Sequence, residues 1–293
     1  MAKFRRNHGS SGGPALIRVA LFAVILVGMI FLFLWYVKPL ASPSEKKYDW
    51  DAAEYFLPAS SADLLIWHST FALSYREQHE QAEWVAYILR GDQLEQPWNP
   101  RKNDYRPDPS IPSRSADPED YRRSGYDRGH LLPAADRAYD PKALSETFLM
   151  SNISPQVRHF NGGIWRELEE QVRYWAKENG KLYVVTGPVL DSVMGQIGNN
   201  EVSVPRAYYK VLLDLETPER KGIGFVIPNE LSEKRLRSYA VSIDRVEELT
   251  NIDFFPQLMT PELEAKLERE YDSGLWPMSE QKYRKRINSW NKQ

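Results

Sequence analysis

Residues 125–136 read GYDRGHLLPAAD, and the chain is best approached through them. Asp127, Arg128, Gly129 and His130 stand side by side, and the run breaks at Pro133. Ionisable groups of this kind avoid a hydrophobic core unless they are paired, so the reason for the grouping lies in the rest of the sequence. Three further features lie within reach along the chain. Arg106 sits in YRPDPS; Asn152 and Gln156 sit in SNISPQ; Asn161, Glu169 and Arg173 sit in FNGGIWRELEEQVR. Glu169 and Arg173 have i, i+4 spacing and can pair on one side of a helix. Asn161, Trp165 and Glu169 climb the same flank turn by turn. An amide oxygen can hold a hard cation that keeps most of its waters. A histidine can take a proton from attacking water near neutrality, and arginines can clamp phosphate. Together these residues suit hydrolysis of a phosphodiester. The structural alternatives are an ordinary surface ion pair for Glu169–Arg173 and a simple helix cap for Asn161.

Outward from that centre, the pattern is α+β. Phe71–Arg76, Glu83–Gly91, Leu182–Leu190, Tyr208–Glu216 and Gly222–Asn229 read as strands rich in β-branched and aromatic residues. The segment 161–180 reads as the clearest helix, with Ile164, Trp165, Leu168, Val172 and Trp175 on one stripe and Gly180 ending it. Shorter helices are expected at Ser232–Arg237, Ile243–Thr250 and Pro261–Glu270, and a loop between Gln96 and Tyr126. With 42% apolar residues and nine tryptophans among 293 residues, a sizeable core is available. The absence of cysteine excludes disulfides, thiolate metal sites and a cysteine nucleophile. A net charge of −2 means that any nucleic-acid surface must be a local basic patch. The stretch KYRKRINSWNK at 282–292 is one candidate, although its plainer reading is a solvated helix end or frayed tail.

The motif SGYDRGHLLPAAD followed by TFLMSNISPQVRHFNGGIWRELE resembles the DNA/RNA non-specific endonucleases, of Serratia-nuclease and endonuclease-G type. RKNDYRPDPSI upstream, and YVVTGPVL and AVSIDRVEELTNIDFFPQL downstream, extend the likeness over about Trp84 to Leu258. The resemblance implies a ββα-metal (His-Me finger) site around one Mg²⁺, or Mn²⁺, with a central antiparallel sheet. It implies His130 as general base, Asn161 as the single protein ligand to the metal, and Glu169 as the carboxylate orienting water there. It implies Arg106 and Arg128 as phosphate contacts, Asn152 beside the centre, and Arg173 next to the acid. Asp127 and Gln156 fall in supporting or substrate-side positions. Phe148 departs from the pattern, standing where the Serratia enzyme has another asparagine.

Val19–Val37 holds nineteen residues without charge or proline, long enough at about 1.5 Å per residue to cross a bilayer. The expected organisation is a basic segment (1–18), a transmembrane helix (19–37), a linker (38–50), the nuclease domain (51–272) and a basic tail (273–293). Lysine and arginine bias places the N-terminus in the cytoplasm and the domain outside it. The expectation is therefore a membrane-anchored, Mg²⁺-dependent endonuclease acting on DNA and RNA and leaving 5′-phosphates, with a homodimer left open. The alternatives are a phosphodiesterase acting on nucleotides or lipid head groups, and a non-catalytic nucleic-acid-binding protein.

Overall fold

The computed structural model describes residues 17–19, 21–22, 24–29, 56–59 and 64–292. Two compact units separate, Met1–Lys47 and Tyr48–Gln293. In the first, the described positions between 17 and 29 are helical and exposed. The transmembrane expectation is corrected here: among the described residues, no helix is long and apolar enough to cross a membrane. The single-pass, outward-facing arrangement falls with the span. The remainder of 19–37 and the 38–50 linker lie outside the described residues.

The second unit is built on a seven-stranded antiparallel sheet. Its strands are β1 (Leu64–Trp67), β2 (Ala72–Arg76), β3 (Gln81–Arg90), β6 (Lys181–Pro188), β9 (Ala207–Asp214), β10 (Lys221–Pro228) and β11 (Ala240–Val241). They lie in the spatial order β1-β2-β3-β6-β9-β10-β11. All five expected strands are present, within one to two residues of their expected starts. Both faces are covered, so the strands read as nearly continuous apolar runs. Side chains still alternate across the sheet: Tyr208 and Leu212 join one core with Trp165, Leu168, Val172 and Trp175, while Tyr209, Val211 and Leu213 join another with Ile243, Val246 and Leu267. Gly224 on β10 allows the second layer to approach, since a Cβ there would meet Val246 Cγ2 at 2.6 Å.

Two short ladders complete the β structure: β4 (Asp127–His130) with β5 (Ile153–Gln156), and β7 (Val193–Ile197) with β8 (Val202–Pro205). The helices are α1 (Gly91–Leu94), α2 (Pro141–Glu146), α3 (Arg166–Asn179), α4 (Ile243–Thr250), α5 (Pro261–Arg269) and α6 (Glu280–Asn288). The expected long helix starts later than its sequence suggests. Phe160–Trp165 form a wider π turn in which Gly163 is non-helical (φ −104°, ψ −109°), and regular α geometry begins at Arg166. Gly180 ends α3 at φ +85°, a value that glycine adopts without strain. In place of a helix over 232–237, only a 3₁₀ turn forms, at Leu236–Tyr239.

The basic end of the chain differs from a solvated tail. Trp276 is fully buried, edge-on to Trp175 at 5.0 Å, and Trp175 Nε1 donates to Pro277 O at 2.9 Å. Arg286 on α6 is fully buried. It donates to Glu167 Oε2 of α3 at 2.5 Å, to Lys234 O at 2.6 Å and to Ser232 O. Helix α3 is thus held by the sheet on one side and by α6 on another.

Candidate active site

The segment between β3 and β6 carries the site. β4 and β5 pair with Asp127 opposite Gln156, Gly129 opposite Ser154 and His130 opposite Ile153. Gly129 is required by a neighbour: a Cβ there would lie 2.1 Å from Gln156 Cδ. The room it leaves is therefore filled by the buried Gln156 side chain.

His130 is 9% exposed. Its ring lies edge-on to Phe148 at 4.9 Å and tilted against Tyr105 at 5.7 Å, and Nε2 has no hydrogen-bond partner among the described residues. Burial pushes its pKa down to about 3, with the Arg101 guanidinium adding to the effect. The imidazole is therefore neutral at ordinary pH and can accept a proton. Phe148, the residue that departs from the family pattern, is part of the apolar wall producing this effect.

Arg128 Nη2 donates to Pro118 O at 2.8 Å, and the guanidinium lies 5.2 Å from the centre of the Tyr105 ring. Its Nε is buried without a hydrogen-bond partner among the described residues. Asn161 Nδ2 donates to Asp127 Oδ2 at 3.1 Å, which leaves Oδ1 as the remaining acceptor of that amide. The Asn161 side chain thus turns toward Asp127 and does not act as a cap.

Glu169 and Arg173 belong to a four-membered charge cluster. Arg173 Nη1 contacts Asp136 Oδ1 at 2.8 Å, and Asp136 Oδ2 accepts from Tyr87 OH at 3.1 Å. Lys210 of β9 is fully buried, with Nζ 5.0 Å from the centre of the Trp165 ring and no hydrogen-bond partner. Burial raises the Glu169 carboxyl to about 7, against the pull of Arg173 and Lys210. Burial also lowers Lys210 to about 8, against Glu169 and Asp136. Two carboxylates thus face two cations in a space with little water. The ordered ion pair of Arg173 is with Asp136 instead of its i−4 neighbour Glu169.

A cavity of about 760 Å³ brings together Asp127, Arg128, His130, Asn161, Glu169 and Arg173. The other three expected residues do not line it. Asn152 is fully buried, and its amide bridges Leu132 N at 2.9 Å, Leu132 O at 3.0 Å and Thr147 O at 2.8 Å. Gln156 lies over Gly129. Arg106 Nη1 donates to Asp104 Oδ2, Asp104 O and Ser145 O at 3.0–3.1 Å. Arg101 and Arg166 line the cavity in its place, with Trp98, 60% exposed, beside them. Sequence reasoning missed Lys210 and Asp136. The signal for Lys210 was its shared parity with Tyr208 and Leu212 in a buried strand; Asp136 closes the quoted motif itself.

The donor set fits a hard divalent cation held by few protein ligands. It offers one free amide oxygen and a nearby carboxylate, beside a neutral imidazole, in a cavity with room for water.

The family model for DNA/RNA non-specific endonucleases matches residues 51–260. The mitochondrial nuclease EXOG of Danio rerio is 34% identical over 71% of this chain and 65% of its own length. Human mitochondrial endonuclease G is 32% identical over 71% of this chain and 74% of its own. A Nostoc nuclease is 32% identical, covering 71% and 79%. Among solved structures, endonuclease G in complex with its inhibitor EndoGI superposes with a TM-score of 0.63 at 32% identity, covering 70% of this chain and 90% of that one.

Proposed function

Because this chain belongs to the DNA/RNA non-specific endonuclease family, a family of nucleases that hydrolyse phosphodiester bonds, we propose that it cuts DNA and RNA by a metal-dependent, sugar-non-specific reaction that leaves 5′-phosphates. One observation carries the reading. His130 and Arg128 line the cavity that also holds Asn161 and Glu169, and each keeps a buried polar atom, Nε2 and Nε, without a hydrogen-bond partner among the described residues. A phosphate with its attacking water would satisfy both atoms.

In this reading β4, β5 and α3 form the ββα unit. Asn161 Oδ1, fixed by the hydrogen bond from its amide nitrogen to Asp127, would hold Mg²⁺ or Mn²⁺. When bound, the metal neutralises charge developing on the phosphate and the departing 3′ oxygen. His130 Nε2 takes the proton of the attacking water as the new O–P bond forms and the P–O3′ bond breaks. A base with so low a pKa holds its proton weakly. The negative charge of an incoming phosphate offsets the Arg101 charge and raises the affinity of the ring for the proton. Arg128 and Arg101 hold the non-bridging oxygens, and Glu169 accepts hydrogen bonds from water in the cavity. Contacts of this kind read phosphate and leave sequence largely unread. The exposed Trp98 suits stacking on a base. The lipid head-group alternative fitted a membrane anchor, and among the described residues no helix is long and apolar enough to supply one.

The test uses the full chain and its His130→Ala variant on supercoiled plasmid and on RNA, in Mg²⁺ or Mn²⁺ and in EDTA. Wild type should cut only with metal, and the variant should lose about 10²–10⁴ in rate. Wild type that leaves both polymers intact in either metal, or a variant that cuts at the wild-type rate, would sink the proposal.

A further inference from the structure

On the face of the sheet opposite α3, helices α4 and α5 bring three acids together. One oxygen from each of Asp244, Glu247 and Glu268 lies within 4.8 Å of the others. Glu247 Oε1 accepts from Phe254 N at 2.8 Å. Glu268 is only 5% exposed, yet its Oε1 is buried with no hydrogen-bond partner among the described residues. A buried carboxylate oxygen left without a donor is costly. Glu268 also stands in the last turn of α5, where the helix dipole disfavours negative charge.

Nearby bases do not offset this. The charges acting most strongly on Glu268 are all carboxylates: Glu247, Glu264, Asp244 and Asp253. Of the cations on the same two helices, Arg245 pairs with Glu248 at 2.6 Å. Lys266 and Arg269 open instead on a separate hollow with Glu262 and Glu270. Burial and mutual repulsion push Glu268 up to about 9 and Glu247 up to about 7.

We propose that Asp244, Glu247 and Glu268 form a structural divalent-cation site, suited to Ca²⁺, that clips α4 to α5. The spacing supports the choice of ion. Three oxygens held by one Ca²⁺ at about 2.3–2.6 Å stand about 4.0–4.5 Å apart when spread evenly around it, so donors within 4.8 Å of one another reach one shell with small side-chain adjustments. Ca²⁺ tolerates the irregular geometry and fills its remaining positions with water. Mg²⁺ demands a tighter octahedron at about 2.1 Å. The ion would satisfy the orphaned Glu268 oxygen and remove the repulsion in one step. The site is separate from the catalytic cavity and shares no residue with it.

The experiment measures thermal unfolding of the EDTA-stripped full chain with CaCl₂ as the only added metal, in wild type, Glu268→Gln and Asn161→Ala. At a concentration about 100 times its Kd, the cation should raise the wild-type Tm by roughly 5–10 °C. Asn161→Ala should keep that rise, because its altered residue lies in the other site. Glu268→Gln should lose the rise and start from a higher metal-free Tm, since one repelling carboxylate is gone. The proposal is overturned if wild type shows no rise up to about 10 mM Ca²⁺, beyond the weakest usual protein affinities. It is equally overturned if Glu268→Gln responds as wild type does. A Tm that rises on acidification but ignores Ca²⁺ would also overturn it, marking the cluster as a place for shared protons.

Discussion

The buried pair between Arg286 and Glu167 gives the strongest single lever on this fold. Arg286 has a fully buried side chain, Glu167 is 4% exposed, and the guanidinium reaches three acceptors on two segments. Removing one partner of such a pair leaves an uncompensated charge and costs about 3–5 kcal/mol. For a domain of this size that corresponds to a fall in Tm of roughly 6–20 °C. The two single variants should differ. Glu167→Met strands a guanidinium that cannot shed its proton, so its deficit should be nearly independent of pH. Arg286→Met strands a carboxyl that can take one. Burial already raises the Glu167 pKa above its ordinary value, and Arg286 is the main group opposing that rise. In Arg286→Met the folded-state pKa therefore climbs further. Neutral Glu167 then supports the fold fully below its unfolded value of about 4.5, and that support fades as pH rises through the folded value. Urea or thermal unfolding at about pH 5 and pH 8 should show a smaller deficit at the acid end for Arg286→Met alone. The double variant to methionines should recover most of the loss. If Arg286→Met costs less than about 1 kcal/mol at both pH values, α6 contributes no more than a surface pair and the reasoning fails.

Two further outcomes follow from the site. In the metal-free protein His130 should titrate near pH 3, and an imidazole C–H midpoint above 6 by NMR would contradict the apolar cage. Because that pKa is depressed, the stability linked to the neutral ring is complete above about 6.5 and is lost as pH falls toward about 3. Gly129→Ala should cost about 1–3 kcal/mol through overpacking against Gln156, with activity falling as β4 shifts. Shortening the obstacle in Gly129→Ala/Gln156→Ala should return part of both in unfolding and cleavage assays, whereas no return would mean that the clash lies elsewhere.

What could be read from sequence follows from the kind of signal each part leaves. β3, β6, β9 and β10 are covered on both faces, so they appear as apolar, β-branched runs. β4 and β5 are four-residue ladders, one charged and the other containing Pro155, and were legible only through their chemistry. The residues lining the cavity were recovered where the motif held them close, as with Asp127 to His130. They were missed where other segments supply them, as with Arg101 and Trp98, and Lys210, buried beside the Glu169 cluster, was missed with them. Arg106, Asn152 and Gln156 carry the right chemistry, but their polar groups turn to the backbone or pack over a glycine. At the basic end, counting charges concealed a stripe. Tyr283, Arg286 and Trp290 recur at helical spacing, and two of the three are buried. The apolar run at 19–37 met the length rule for a span, and the described helix does not fulfil it.

The route of the chain through the sheet has a kinetic consequence. β9 and β10 meet across seven positions, Asp214 with Lys221, whereas β3 and β6 first meet across ninety-one, Arg90 with Lys181. Closing the longer loop costs about 2 kcal/mol more in chain entropy, as (3/2)RT ln(91/7). The β9–β10 hairpin can therefore zip early, while the seam between β3 and β6 waits for the excursion that contains β4, β5 and α3. Packing within that excursion shortens the effective loop and lowers the barrier to joining the halves of the sheet. Recovery of cleavage on refolding should then coincide with closure of the sheet, since the segment that carries the chemistry is also the strap that draws its two halves together.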